Sequence, residues 1–99
     1  MSIRDNQDQH RYEIHVSDEV AGFVQYRRRE GLIAFIHTEI DPRFEGQGLG
    51  SQLIAGVLDE ARAAGVRVLP FCPFVNGYIS RHPEYVDLVP EDFRPEFGL

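Results

Sequence analysis

The chain has a single cysteine, Cys72, among 99 residues. One thiol excludes an internal disulfide framework and a multi-cysteine zinc site, and it fits a reducing compartment. Basic residues are also scarce: ten Lys and Arg against sixteen Asp and Glu leave a formal net charge of −6. A nucleic-acid surface usually needs a cationic footprint that releases counterions, so nucleic acid is not an expected partner. No apolar stretch approaches the roughly 20 residues of a membrane-spanning helix. The polar start from Met1 to Arg11 has no hydrophobic segment of the secretory kind. These absences predict a cytoplasmic protein that does not enter a membrane. The length allows one domain with one core.

What is present is a change of period along the chain. Residues 1–11 are polar and aperiodic and are expected to be a mobile tail, with a single domain over residues 12–89. Tyr12, Ile14 and Val16 alternate with Glu13 and His15, as in a half-buried strand. Ser17-Asp18-Glu19 turns into a second strand, Val20 to Arg28, and Glu30-Gly31 closes a hairpin into a third, Leu32 to Ile40. The third strand is apolar on both faces over Leu32 to Ile36, which suits a central position. Asp41-Pro42 ends it.

After a glycine-rich stretch, Leu53, Ile54, Val57, Leu58 and Ala61 recur at helical spacing, and Gly65 is a good stop. Val66 to Phe71 reads as a short strand, parallel to Leu32–Ile40 if the crossover is right-handed. Pro73 opens a helix over Phe74 to Arg81, which His82-Pro83 terminates. Tyr85 to Val89 reads as a last strand, and residues 90–99 as a loosely attached tail. The fold class is therefore α/β with a mixed sheet: an antiparallel three-strand meander, a glycine loop, a helix, a parallel strand and a helix. An open sheet edge leaves monomer or homodimer as the expected states.

The glycine-rich stretch is Phe44-Glu45-Gly46-Gln47-Gly48-Leu49-Gly50-Ser51. Glycine admits φ > 0 and close approach of a ligand, and the helix that follows offers free N–H groups at its positive end. A phosphate or pyrophosphate is the natural occupant, with a plain tight turn as the competing reading. No Lys-Ser or Lys-Thr follows the glycines, so a Walker-type loop is excluded. The spacing is not that of a dinucleotide fold either. What remains is a phosphate site made of backbone alone.

The order of meander, glycine loop, helix, strand and helix resembles the GNAT superfamily of N-acetyltransferases. In that family the loop is written Gln/Arg-x-x-Gly-x-Gly/Ala, and here the aligned stretch is Glu45-Gly46-Gln47-Gly48-Leu49-Gly50. Three further stretches are similar to the small single-domain branch of that family: His37-Thr38-Glu39-Ile40, Leu69-Pro70-Phe71-Cys72-Pro73-Phe74-Val75 and Arg81-His82-Pro83-Glu84-Tyr85. The resemblance implies acetyl-CoA as donor, an amine as acceptor, and a pyrophosphate held by the loop from Glu45 to Ser51. It puts the pantetheine arm at the end of the third strand, around Glu39 and Ile40; Asn76 reads as a partner of the pantetheine amides or as a solvated side chain. Two departures stand out. Glu45 replaces the usual Gln or Arg, with Arg43 nearby as a compensating cation. Only Ser17-Asp18-Glu19 fills the place of the helices that form much of the acceptor wall in larger members.

An alkylamine arrives protonated at neutral pH and must lose a proton before it attacks. Glu39 is the candidate base and His37, at i, i+2 on the same strand, the alternative; Glu39 also reads as an exposed strand-end carboxylate and His37 as a hydrogen-bonded, half-buried histidine. Cys72 ends the strand beside the expected thioester. It reads as a small wall residue, as a nucleophile that takes the acetyl group first, or as a redox-sensitive thiol. The resemblance makes Tyr78, on the following helix, the candidate acid for the departing thiolate; it also reads as a packing residue. His37 and Glu39 lack a third ligand, so no metal is expected. A coenzyme A-binding module without turnover, acting as a sensor or interaction partner, is the rival function.

Overall fold

Tyr12, Ile14, Val24, Tyr26, Ile33 and Phe35 are buried along one face of a five-stranded sheet in the computed structural model, which describes residues 1–99. The elements run β1 (Ser2–Asn6), β2 (Arg11–Val16), β3 (Glu19–Arg29), β4 (Leu32–Ile40), α1 (Leu49–Ala64), β5 (Arg67–Pro70) and α2 (Pro73–Arg81). Strand order follows chain order, with three antiparallel ladders and a parallel β4–β5 pair. Ser17 and Asp18 both take positive φ, 50° and 66°. That is the backbone a two-residue hairpin turn needs to follow the strand twist.

The helix legible in the sequence lays Leu53, Ile54, Val57, Leu58 and Ala61 on the sheet, all buried. Gly65 ends it in the left-handed region at φ 69°, its N–H returning to the Ala61 and Arg62 carbonyls. The second helix packs its Val75, Tyr78 and Ile79 into the same core.

The amino-terminal residues are not a mobile tail. Ser2–Asn6 forms β1 and pairs with β2, Ile3 opposite Ile14 and Asp5 opposite Tyr12. Ile3 reaches over to α1, where a Cβ on Gly56 would collide with its Cδ1. The Tyr26 hydroxyl donates to Asp5, and Arg28 pairs with the same carboxylate at 3.4 Å. The meander thus has four strands, not three, because polar side chains that look solvated in the sequence pair with one another across the edge.

The carboxyl-terminal expectations also need correction. Tyr85 to Val89 is not a strand: Pro83–Leu88 forms a 3₁₀ turn. Arg62 fixes it to α1 with two 2.8 Å bonds to Asp87 and one of 2.7 Å to the Glu84 carbonyl, and Tyr85 donates to Asp59. Residues 90–99 are not loose either. Glu91–Phe97 is a second 3₁₀ turn, tied down by Arg94 to the Val89 carbonyl and by Asn76 to the Phe97 carbonyl, both at 3.0 Å.

The face of the sheet opposite α1 carries one buried charge. Glu13 accepts from Arg11 at 2.8 Å and Asn6 at 3.0 Å and meets His15 at 3.0 Å. Burial pushes its carboxyl up, but the three hydrogen bonds together outweigh that and hold it below the ordinary value. A carboxylate lowered on folding stabilises the protein above its unfolded pKa, and that contribution is lost as pH falls through the folded value. Between about pH 5 and pH 3, around the ordinary Glu value, the urea midpoint of Glu13→Gln is therefore expected to fall less steeply than that of the parent.

A second prediction concerns β1. Gly56→Ala in the parent sets the gain in helix propensity, up to about 1 kcal/mol, against the clash with Ile3. In an Ile3→Ala background only the gain remains. Urea denaturation of the four proteins of this cycle is expected to show coupling between the two sites. Equal stabilisation by Gly56→Ala in both backgrounds would show that β1 does not dock on α1.

Candidate functional site

The site begins where two strands part. Parallel pairing runs from Leu32–Arg67 to Phe35–Pro70 and stops. Cys72 N–H donates a last bond to the Phe35 carbonyl at 2.9 Å, and Phe71 N–H turns back on the Leu69 carbonyl at 3.1 Å. β4 continues to Ile40 without a neighbour on that side. In β3–β4 pairing, Tyr26 opposes Phe35 and Gln25 opposes His37, so Ile36 is the extra residue of a bulge. Asp41 N–H donates to the Ala21 carbonyl at 2.8 Å. By antiparallel alternation the backbone groups of His37 and Glu39 then face β3, and those of Thr38 and Ile40 face the gap. Without the extra residue the phase would be reversed.

At the far end of the gap stands the glycine loop. Gly46 and Gly48 sit at φ 81° and 74°, a region that penalises any side chain. Gly50 has a different reason: it is inside α1, and a Cβ would lie 2.7 Å from the Phe74 ring of α2. No backbone N–H from Gly46 to Ser51 donates to any protein acceptor, and the first intrahelical bond is Gln52 N–H to the Gly48 carbonyl at 3.1 Å. A run of free donors at the positive end of a 16-residue helix is chemically suited to an anion. Glu45 is exposed just before it. Arg43 does not offset that charge, because its guanidinium is engaged by Asp41 at 3.2 Å and Glu19 at 3.3 Å.

The expected catalytic residues are distributed unevenly around this gap. Glu39 and His37 lie side by side on the open face, 3.6 Å apart and more than half exposed. Cys72 is 3% exposed, and its Sγ lies 3.2 Å from the Thr38 hydroxyl; no histidine bonds to it. Tyr78 is buried and stacks on His82 at 4.1 Å between ring centres. Burial, then the carboxylates of Glu84 and Asp59, raise its phenol above the ordinary value. Asp59 lies in the third turn of α1, eleven residues beyond Gly48, or about 16 Å along the axis. The α2 aromatic at the glycine loop is instead Phe74.

Asn76 donates to the Phe97 carbonyl, while its Oδ1 is buried without a partner. Phe71 is exposed and meets the Phe97 ring edge-on at 5.2 Å. Thr38, Phe71 and Phe74 were therefore missed by sequence reasoning. Two phenylalanines flanking Cys72-Pro73 at a strand end, where burial is not assured, were the available signal for the latter pair.

The model of the GCN5-related N-acetyl-transferase family matches residues 11–88. In fold, the chain is similar to the NMR solution structure of a GCN5-like protein from Staphylococcus aureus, with a TM-score of 0.68 at 21% identity over 90% of this chain and 87% of that one. None of the curated proteins compared with the chain matches it.

The packing of Cys72 predicts that native protein reacts slowly with a disulfide reagent such as DTNB, at a rate that rises with denaturant, because the thiol must first be uncovered. Fast stoichiometric reaction of the folded protein would show a nucleophilic thiol instead of a wall residue.

Proposed function

Because the chain belongs to the GCN5-related N-acetyltransferase family, we propose that it binds acetyl-CoA along the β4–β5 gap and transfers the acetyl group to an amine. The observation that carries this reading is a pair of unpartnered backbone stretches, the Gly46–Ser51 amides and the Thr38 and Ile40 edge of β4. Those groups suit acetyl-CoA in order: amides for a pyrophosphate, a strand edge for the amides of pantetheine. Phe71 and Phe74 offer apolar contact beside them, and the orphaned Asn76 Oδ1 lacks only a donor. When bound, acetyl-CoA supplies an activated acyl group as a thioester.

The chain's own residues then have three tasks. Thr38 N–H, turned into the gap by the bulge, is the candidate donor to a carbonyl oxygen that gains negative charge, a contribution worth several kcal/mol in enzymes. Glu39, with His37 beside it, takes the proton from the incoming ammonium group, directly or through water. Cys72 and Thr38 wall the gap. All ten basic side chains are arginine, so the chain has no lysine amine to serve as its own acceptor. Glu45 and the uncovered sheet face favour a second reading, binding without turnover.

Titration calorimetry with acetyl-CoA, with 3′-dephospho-CoA as comparison, is expected to show one-to-one binding in the micromolar range, about −8 kcal/mol. Gly48→Glu is expected to abolish it and Glu45→Gln to tighten it. Intact binding in Gly48→Glu would overturn the loop assignment. With a mixed amine pool and labelled acetyl-CoA, Glu39→Gln is expected to lower kcat by about a hundredfold. Tyr78→Phe should stay within about threefold, well short of the loss that removing a general acid brings. Binding without any acetylated product would select the second reading.

A further inference from the structure

A hollow of about 730 Å³ lies on the far side of the bulge from the glycine loop, lined by Gln7 and Gln9 of the β1–β2 connection, Gln25, Arg27 and Arg28 of β3, and Ile36. It starts at the residue where β4 and β5 part and runs away from the donor gap, toward the β3–β4 hairpin. Ile36 to Ile40 is about 13 Å of strand, a span suited to an extended pantetheine arm. Donor and hollow therefore meet end to end at the bulge. Gln25, in the hollow wall, is the register partner of His37. His37 thus stands beside the inner end of the hollow, with Glu39 two residues further toward the glycine loop, and Arg27 stands two residues, or about 7 Å, beyond Gln25 along β3.

The charge of this hollow runs against that of the protein. The chain carries −6, yet no carboxylate lines the hollow. Arg28 is committed to Asp5 and the Tyr12 hydroxyl. Arg27 is exposed and makes no hydrogen bond or ion pair. A guanidinium that no carboxylate of the protein meets, with neutral glutamine amides beside it as further donors, fits a carboxylate or phosphate.

We infer that this hollow is the acceptor site and that the acceptor is a small primary amine bearing a carboxylate or phosphate, the anion at Arg27 and the amine at Ile36 beside His37. The inference rests on the acyl-transfer reading above. In the reaction the ammonium group gives one proton to the base, its nitrogen bonds to the acetyl carbon, and the C–S bond breaks. The thiolate leaves and is protonated by the second proton released from nitrogen, so amide and thiol are the products.

Initial rates with matched amines decide it: γ-aminobutyrate and phosphoethanolamine against n-butylamine, ethanolamine and putrescine. The anion-bearing amines are expected to show kcat/KM about tenfold or more above the others, as a charge-assisted contact supplies. Whether γ-aminobutyrate or phosphoethanolamine leads tells carboxylate from phosphate. In Arg27→Gln the ratio is expected to collapse toward one. A preference for putrescine or the neutral amines, an unchanged ratio in Arg27→Gln, or acetyl-CoA binding with no turnover of any anion-bearing amine would each overturn the inference. A readout independent of the donor is the ¹⁵N spectrum titrated with γ-aminobutyrate alone. Shifts are expected at Gln25 and Ile36 and lost in Arg27→Gln, and their absence counts against the site even if acetyl-CoA binds. Failure of acetyl-CoA to bind, with those shifts present, would remove the acyl-transfer reading and leave an anion site.

Discussion

The hydrogen bond from Cys72 N–H to the Phe35 carbonyl is the point at which two strands stop forming one sheet. Before it, β4 and β5 share a ladder; beyond it, β4 keeps a row of backbone groups with no strand to meet. An open strand edge is normally a liability, since it invites pairing with another chain. Here the divergence makes it narrow and places it between walls, so that it can take an extended ligand arm. The bulge at Ile36 sets which groups point into the gap. It moves His37 and Glu39 to the open face, where they can meet an acceptor, and turns the backbone of Thr38 and Ile40 toward a donor.

The three glycines that look alike in the sequence answer to two constraints. Gly46 and Gly48 supply left-handed backbone in a stretch whose amides meet no protein acceptor. Gly50 lets the Phe74 ring pack against α1. One short stretch therefore shapes the candidate anion site and also fixes α2, and with it Cys72, relative to that site. Substitutions there act on binding and on packing by separable routes.

Much of this was legible in the sequence, for stated physical reasons. The helix of α1, its glycine stop, the parallel β5 and the glycine turn that leads into α1 all follow from period and backbone permissiveness. β1 was not legible, because among Ser2 to Asn6 only Ile3 is apolar and the strand is held by ladder bonds and by Asp5 to Tyr26 and Arg28. Tyr85 to Val89 alternates like a strand, yet Pro83 and the bidentate grip of Arg62 on Asp87 make it a 3₁₀ turn. Among site residues, Tyr78 was chosen by its helix and not its direction: it faces His82 and Tyr85, while Phe74 reaches the loop. The bulge leaves no mark in the sequence, since an extra residue shows only against a partner strand. Its effect, moving Thr38 onto the core face beside Cys72, was invisible for the same reason.

The hairpin at Ser17 and Asp18 joins β2 and β3 with a two-residue connection, beyond which the ladder runs from Val16–Glu19 to Arg11–Gln25. Loop-closure entropy grows only slowly with length, so this corner can accept a long insertion at small thermodynamic cost. The sheet face beside it, with Phe23, His37 and Glu39 open, is then a socket for added structure. A chain of this kind is a chassis: structure grafted at this corner leaves the strand pairing untouched.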